Sequence, residues 1–320
     1  MKKLLTVVVL IVFILAVAVA WWKNGTMPTN PNDHTPQIFV VGKGEGMRKI
    51  ANDLKTKGLI KDPIVFFLLT RRLGIDTKVQ AGDFRLNPSM SAYDVAQNLT
   101  HGTLDIWVTI PEGNRAAEIA DLLEKSIPSF QPSWRSTLTG NEGYLFPDTY
   151  LIPRDATITQ IVTMMKNNFN NKYETLKNGQ AQNRTENEIV IIASLVEREA
   201  RFASDRPLVA SVIVNRLNLE MPLQIDATVQ YVLGYQANEK SWWKKNLTTD
   251  DLKMSSAYNT YVNVGLPPSP IANPGSAAID AALNPAKTDN LYYVSDKQGH
   301  LHFAKTLQEH NANISKYLGN

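Results

Sequence analysis

Thr185-Glu186-Asn187-Glu188-Ile189-Val190-Ile191-Ile192-Ala193-Ser194-Leu195-Val196-Glu197-Arg198-Glu199 opens with a capping box, Thr three residues before Glu, directly ahead of an apolar run. The pattern predicts a helix from Glu186 to about Arg201. With Ile192 set at zero and about 100° per residue, Ile189, Leu195 and Val196 fall within about 60° of it. Glu199 falls at about −20°, inside that apolar stripe, and Glu197 at about 140°, toward the polar side. One of two neighbouring glutamates is therefore expected to meet apolar packing. Desolvation disfavours a charged carboxylate and raises its pKa, the condition for an acid that donates a proton near neutrality. The plainer reading is a partly solvated ion-pair partner of Arg198 and Arg201.

Outward from this helix, Ser204-Asp205 and Pro207 start a second one, carried by Leu208, Val209, Val212, Ile213 and Leu217 and ended near Pro222. Residues 126–320 read as one larger α+β region. Upstream, a weak repeat is visible. Val41, Gly44, Ile50, Ala51 and Leu54 recur 69 residues later as Ile110, Gly113, Ile119, Ala120 and Leu123. Each copy reads as strand, Gly-containing turn, amphipathic helix. The first turn is Gly42-Lys43-Gly44-Glu45-Gly46. In the second copy Ile106, Val108 and Ile110 alternate as a half-buried strand. Between the copies, Asp62-Pro63 caps a helix bearing Phe66, Phe67 and Leu69, which Gly74 stops. Phe84 and Leu86 fit a strand. Ser91 opens a helix with Val95 and Leu99, which Gly102 ends. These small units resemble LysM modules, which bind N-acetylglucosamine-containing glycans; an α+β spacer without a ligand is the alternative.

The N-terminus sets the address. Leu4 to Trp22 is 19 residues with only Thr6 polar. As a helix it spans about 28 Å, close to the ~30 Å hydrocarbon core. Lys2 and Lys3 precede it, which predicts a single-pass cytoplasmic (inner) membrane anchor with the N-terminus inside and the rest on the periplasmic or extracytoplasmic side. Ala18-Val19-Ala20 has the small-x-small form of a signal-peptide site, but the apolar run is long and Trp21-Trp22 follows it. Lys23 to Pro36, with Pro28, Pro31 and Pro36, reads as an extended linker. The expected fold is thus α+β: residues 1–3 a cytoplasmic stub, 4–22 a transmembrane helix, 23–36 a linker, 37–125 one or more LysM-like modules, and 126–320 a catalytic domain.

The chain holds 33 Lys+Arg against 30 Asp+Glu. Lys2, Lys3 and Lys23 account for the whole surplus, so the remainder is formally neutral. That argues against nucleic acid as the partner, since phosphate neutralisation needs a basic surplus on the folded part. There is no cysteine, which excludes disulfides, thiolate metal sites and a cysteine nucleophile.

The run Ala193 to Glu199 closely resembles the active-site signature of the bacterial endolytic murein transglycosylases, the YceG-like family. Further blocks match in order. They are Gly143 to Tyr150, Ala210 to Leu217, Leu223 to Tyr231, Tyr258 to Tyr261, Gly265 to Pro268, Ile271 to Gly275, Asn284 to Thr288, Leu291 to Val294 and His302-Phe303. Ala227 departs from the pattern, where many relatives are expected to carry proline. The resemblance assigns catalysis to the second glutamate of the pair, Glu199, the residue the face argument reached independently. It implies cleavage of the β-1,4 bond between N-acetylmuramic acid and N-acetylglucosamine in nascent peptidoglycan, leaving a 1,6-anhydro end and terminating strand growth. It also implies no cofactor, no metal, and penicillin-binding proteins or other cell-wall synthases as partners.

Gln224, Asp226 and Thr228 alternate with Ile225 and Val229. On a strand the three polar side chains would share one face, to bind sugar hydroxyls or orient Glu199. Tyr258, Asn259 and Tyr261 offer stacking surface and amide hydrogen bonds; core packing with a turn is their alternative. Two other functions compete. His300, His302 and His310 could suggest a zinc hydrolase, although that spacing is weakly specific. A non-enzymatic, membrane-tethered glycan-binding or cell-division scaffold would not need the Glu199 helix and its companion blocks.

Overall fold

The computed structural model describes residues 2–42, 44–101, 105–154, 156–179 and 183–319. Lys43 of the first turn and Gly102, the expected helix stop, lie outside the described residues, as does Met1 of the stub. The chain forms two compact units, Met1–Ile106 with Leu151–Asp155, and Trp107–Tyr150 with Ala156–Asn320.

The first unit begins with α1 (Lys2–Thr26), continuous through the apolar run. Val9, Leu10, Ile11, Val12, Phe13 and Ile14 are each more than half exposed. This apolar run, left almost wholly uncovered by the rest of the described chain, is a candidate membrane anchor. It is followed by β1 (Gln37–Val41), α2 (Met47–Thr56), α3 (Pro63–Arg72), β2 (Gly82–Leu86) and α4 (Ala92–His101). β1 and β2 pair antiparallel, from Gln37↔Leu86 to Val41↔Gly82. Alternation turns Phe39, Val41, Phe84 and Leu86 inward, onto Ile50 and Leu54 of α2, Phe66 and Leu69 of α3, and Val95 and Leu99 of α4. Each such side chain contributes about 1.5–3 kcal/mol on burial. The Asp62 carboxylate accepts the Ile64 and Val65 amides and so caps α3.

The segment expected as an extended linker differs. Helix α1 runs through Lys23 to Thr26, and the residues after it are tied to the unit. The Thr29 hydroxyl donates to the Gly58 carbonyl at 2.7 Å, and the Ser89 amide donates to the Asp33 carbonyl at 3.0 Å. The Thr29 hydroxyl and the Asn30 backbone amide here satisfy carbonyls of the folded unit instead of remaining solvated.

Next come β3 (Ile106–Thr109), α5 (Ala116–Ser126), α6 (Trp134–Thr139) and β4 (Thr149–Ile152), with β3 paired to β4. A strand–helix–helix–strand order therefore occurs twice, and the repeat has a physical basis. Val41, Ile50, Ala51 and Leu54 are buried, and so are their counterparts Ile110, Ile119, Ala120 and Leu123.

The second unit continues with α7 (Ile158–Lys177), α8 (Glu186–Glu199), α9 (Arg206–Asn218), α10 (Asp226–Leu233), α11 (Thr249–Leu252), α12 (Ser276–Leu283), the hairpin β5 (Tyr292–Ser295) and β6 (Leu301–Ala304), and α13 (Leu307–Leu318). Its centre is α8. The Thr185 hydroxyl accepts the Glu188 amide, and every residue from Ile189 to Val196 is buried. Helices α9, α10 and α12 pack around it. A helix wrapped this way has no solvated face, which corrects the expectation for Glu197. Its side chain is only 5% exposed.

Candidate active site

Glu199 is the last residue of α8, and its carboxyl lines a cavity of about 310 Å³. The other lining residues are Arg216, Leu223, Gln224, Asp226, Tyr261, Tyr293 and His310. The Tyr293 hydroxyl donates to Glu199 Oε2 at 3.0 Å, and the Ala227 amide also donates to this carboxyl. Burial pushes the Glu199 pKa up to about 7, and the nearby Asp226 charge adds to the rise; Tyr293, Arg198 and the Ala227 amide oppose it. Near pH 7 the group is poised between acid and carboxylate, so it can both give and take a proton. Burial, reinforced by the Glu199 charge, keeps the Tyr293 phenol well above its ordinary range, so it stays a donor.

Asp226 opens α10, and the Tyr261 hydroxyl donates to its Oδ1 at 2.5 Å. Burial raises the Tyr261 pKa, and the bond to Asp226 raises it further. Gln224 stands just before, in the left-handed region at φ +53°, with its amide donating to the Thr260 carbonyl at 3.0 Å. That conformation costs a non-glycine residue about 1 kcal/mol and recurs at ligand-binding sites.

The expected strand over Gln224–Val229 is thus a bend followed by a helix, and the three polar residues do not share a face. Gln224 and Asp226 line the cavity. Thr228 is fully buried, donating to the Ile225 carbonyl at 2.7 Å and pairing with the Thr260 hydroxyl at 3.0 Å. Asn259 is also turned inward, its amide nitrogen donating to the Leu252 and Met254 carbonyls and its oxygen accepting the Tyr261 amide. Tyr258 packs its ring on Tyr231 and bonds Ser269. Of that trio only Tyr261 reaches the cavity.

Arg216 was matched only as part of a block, yet it organises one wall. Its Nε donates to the Leu291 carbonyl at 2.7 Å, and its Nη1 to the Pro222 and Leu223 carbonyls at 3.1 and 2.8 Å. The guanidinium lies over the Tyr292 ring at 5.2 Å. One cation thereby joins the segment leading to Asp226 with the strand carrying Tyr293. A charged residue among Val212, Ile213 and Leu217 was the signal in the sequence. The three histidines do not converge. His302 bonds Asp296, His300 stacks on Phe202, and His310 stacks on Tyr292. Among the described residues no group of three His, Asp or Glu side chains is placed to hold a metal.

Glu197 has a different task. Its Oε1 meets Arg206 Nη2 at 2.9 Å, and its Oε2 accepts the amide of Gly275, the N-cap of α12, at 2.9 Å. It ties α8 to α9 and α12. Glu197→Gln keeps an acceptor for Gly275 but loses the charge on Arg206. It should cost about 1–3 kcal/mol of stability while product formation stays within a few-fold of wild type; thermal unfolding and product yield measured together check this.

Two matched blocks meet in a buried network beyond the cavity. Asn273 accepts the Gly143 and Leu145 amides and donates to the Asn114 carbonyl and Glu142 Oε1, all at 2.9 Å. Gly143 has φ +88°, and a Cβ there would sit 2.4 Å from Pro270, so only glycine fits. Those blocks hold the unit together.

The model of the YceG-like family matches residues 39–316. The endolytic murein transglycosylase of Bacillus subtilis (strain 168) is 32% identical over 336 residues, covering 95% of this chain and 91% of the relative. The endolytic murein transglycosylase of Streptococcus pneumoniae serotype 2 (strain D39) is 29% identical over 347 residues, covering 92% of this chain and 61% of the longer relative. The crystal structure of a YceG-like protein from Listeria monocytogenes superposes with a TM-score of 0.56 at 29% identity, covering 87% of this chain and 99% of that one. The match spans both compact units and every block around the cavity, and the chain belongs to the YceG-like family.

Proposed function

We propose that this chain is a peptidoglycan lytic transglycosylase that cuts glycan strands internally between N-acetylmuramic acid and N-acetylglucosamine, leaving a 1,6-anhydromuramyl end. The observation that carries the reading is the Glu199 carboxyl, shielded on a cavity wall with its pKa pushed up to about 7 and a tyrosine hydroxyl fixing one oxygen. The activity is the one named for the Bacillus subtilis relative. A hydrolytic glycosidase needs a second carboxylate to activate water or to attack the sugar. Here the sugar's own C6 hydroxyl serves as nucleophile. Glu199 protonates the glycosidic oxygen as the bond breaks, then removes the C6 hydroxyl proton as that oxygen closes on C1. The 2-acetamido group of the same sugar stabilises the charge that develops between the two steps.

In this reading α1 anchors the enzyme in the cytoplasmic membrane with its N-terminus inside. Residues 37–125, with their strand–helix–helix–strand core, hold glycan as a LysM-like region, and residues 126–320 carry the chemistry. A site beside the membrane cuts strands as synthases such as penicillin-binding proteins extrude them.

Mass spectrometry of isolated glycan strands digested by the purified protein tests the reading. Anhydromuramyl ends support it, and intact strands would mark a glycan-binding protein instead. The pH profile follows from the raised acid. Glu199 must start protonated, so the rate should fall as pH rises through about 7, tenfold for each further unit. A profile flat to about pH 9 would remove Glu199 as the acid.

A further inference from the structure

The cavity holds a second carboxylate that the one-acid scheme leaves idle. Of the eight residues lining it, only Glu199 and Asp226 are acidic. We propose that Asp226 is a catalytic residue that accepts the N–H of the muramic 2-acetamido group and balances the positive charge of the oxazolinium ring formed in the middle of the reaction. This inference rests on the transglycosylase reading and assigns the charge-stabilising role within it.

Three features of Asp226 fit the task. The Tyr261 hydroxyl fixes Oδ1 at 2.5 Å, which orients the carboxylate. Oδ2 has no hydrogen-bond partner among the described residues, so it remains available to a ligand in the cavity. Asp226 also occupies the first position of α10, where the unpaired amides of the helix start favour a negative charge. Among the lining residues Asp226 is the one acidic group besides the proton-carrying Glu199: Arg216 carries the wrong charge, and burial lowers the His310 pKa and so favours its uncharged form.

The steps balance without water. Glu199 passes its proton to the leaving N-acetylglucosamine oxygen while the C1–O bond breaks and its electron pair stays on that oxygen. A lone pair of the acetamido carbonyl oxygen forms a new bond to C1. The resulting ring spreads one positive charge over N, C and O, and its N–H becomes a stronger donor to Asp226. Glu199, now a carboxylate, takes the C6 hydroxyl proton. The C6 oxygen bonds C1 and the bond to the acetamido oxygen breaks, its electrons restoring the amide. The contact from N–H to Asp226 is strongest when the charge is greatest, so it acts on the transition state more than on bound substrate.

The test uses the full chain with Asp226→Asn, which keeps shape and removes charge. On isolated glycan strands kcat should fall about 10²–10³-fold with KM within a few-fold. The alkaline limb of the pH profile should also move to lower pH, because the Asp226 charge is one of the causes holding the Glu199 pKa up. Tyr261→Phe, which frees Oδ1 without removing charge, should lose a smaller factor of about 10. A muramyl thiazoline, a stable mimic of the ring, provides a readout independent of turnover. Calorimetry should show it binding wild type about 10²-fold more tightly than folded Asp226→Asn, with ordinary cleavage product binding both alike. Equal thiazoline affinity, or a folded Asp226→Asn with kcat within threefold of wild type (a change of about 0.7 kcal/mol), would overturn the proposal while anhydro ends from wild type leave the transglycosylase reading standing. If wild type yields no anhydro ends, that reading fails and this proposal with it.

Discussion

Glu199→Gln should abolish anhydromuramyl product, lowering turnover by about 10³–10⁴-fold, while the protein stays folded. Glutamine can still accept the Tyr293 hydroxyl bond through its carbonyl oxygen, so the α8 terminus keeps its contact with β5. It cannot pass a proton to a leaving oxygen or take one from the C6 hydroxyl, so both half-reactions fail together. The fold raises the Glu199 pKa from the ordinary 4.5 to about 7, and therefore favours the neutral form. Its contribution to stability is fully present below about pH 4.5 and is lost as pH rises through about 7, where the shielded group must charge. The variant never charges. It should match wild type near pH 4 and exceed it near pH 8 by on the order of 1–3 kcal/mol. Thermal melts at the two pH values, paired with product yield, check both halves. A variant that is inactive because it is unfolded would not meet this expectation.

Arg216→Met should have the largest effect on stability, about 3–5 kcal/mol. Methionine fills much of the same volume but donates no hydrogen bond. The carbonyls of Pro222, Leu223 and Leu291 would lose their donors at half-buried to buried positions. Because these bonds hold the segment entering Asp226 against the strand bearing Tyr293, activity should fall with stability. Arg216→Lys should recover only part of it, since an ammonium cannot reach three carbonyls with the spread of a guanidinium. Urea unfolding of the three proteins measures the ranking.

Much of this arrangement was legible in the sequence. The capping box at Thr185 and the apolar run placed α8, and the stripe pointed to Glu199 without reference to any relative. The same wheel misplaced Glu197. Periodicity assumes one wet side, and α8 has none, because α9, α10 and α12 enclose it. The alternation of Gln224, Ile225, Asp226, Ala227 and Thr228 matched a strand, but so short a segment also suits a helix start. The left-handed Gln224 and the first turn of α10 decided the matter, and neither leaves a mark that alternation can detect. The repeat at Val41 and Ile110 was readable because the same buried positions recur in both copies. The bond from Tyr293 to Glu199 was not, since 94 residues separate the partners and only the folded chain brings them together.

Digestion of isolated glycan strands in heavy-oxygen water tests the central claim most directly. If Glu199 delivers the sugar's own C6 hydroxyl to C1, each new muramyl end is lighter by one water than a hydrolytic end and carries no heavy oxygen. Muramyl reducing ends bearing one heavy oxygen from solvent would contradict the account.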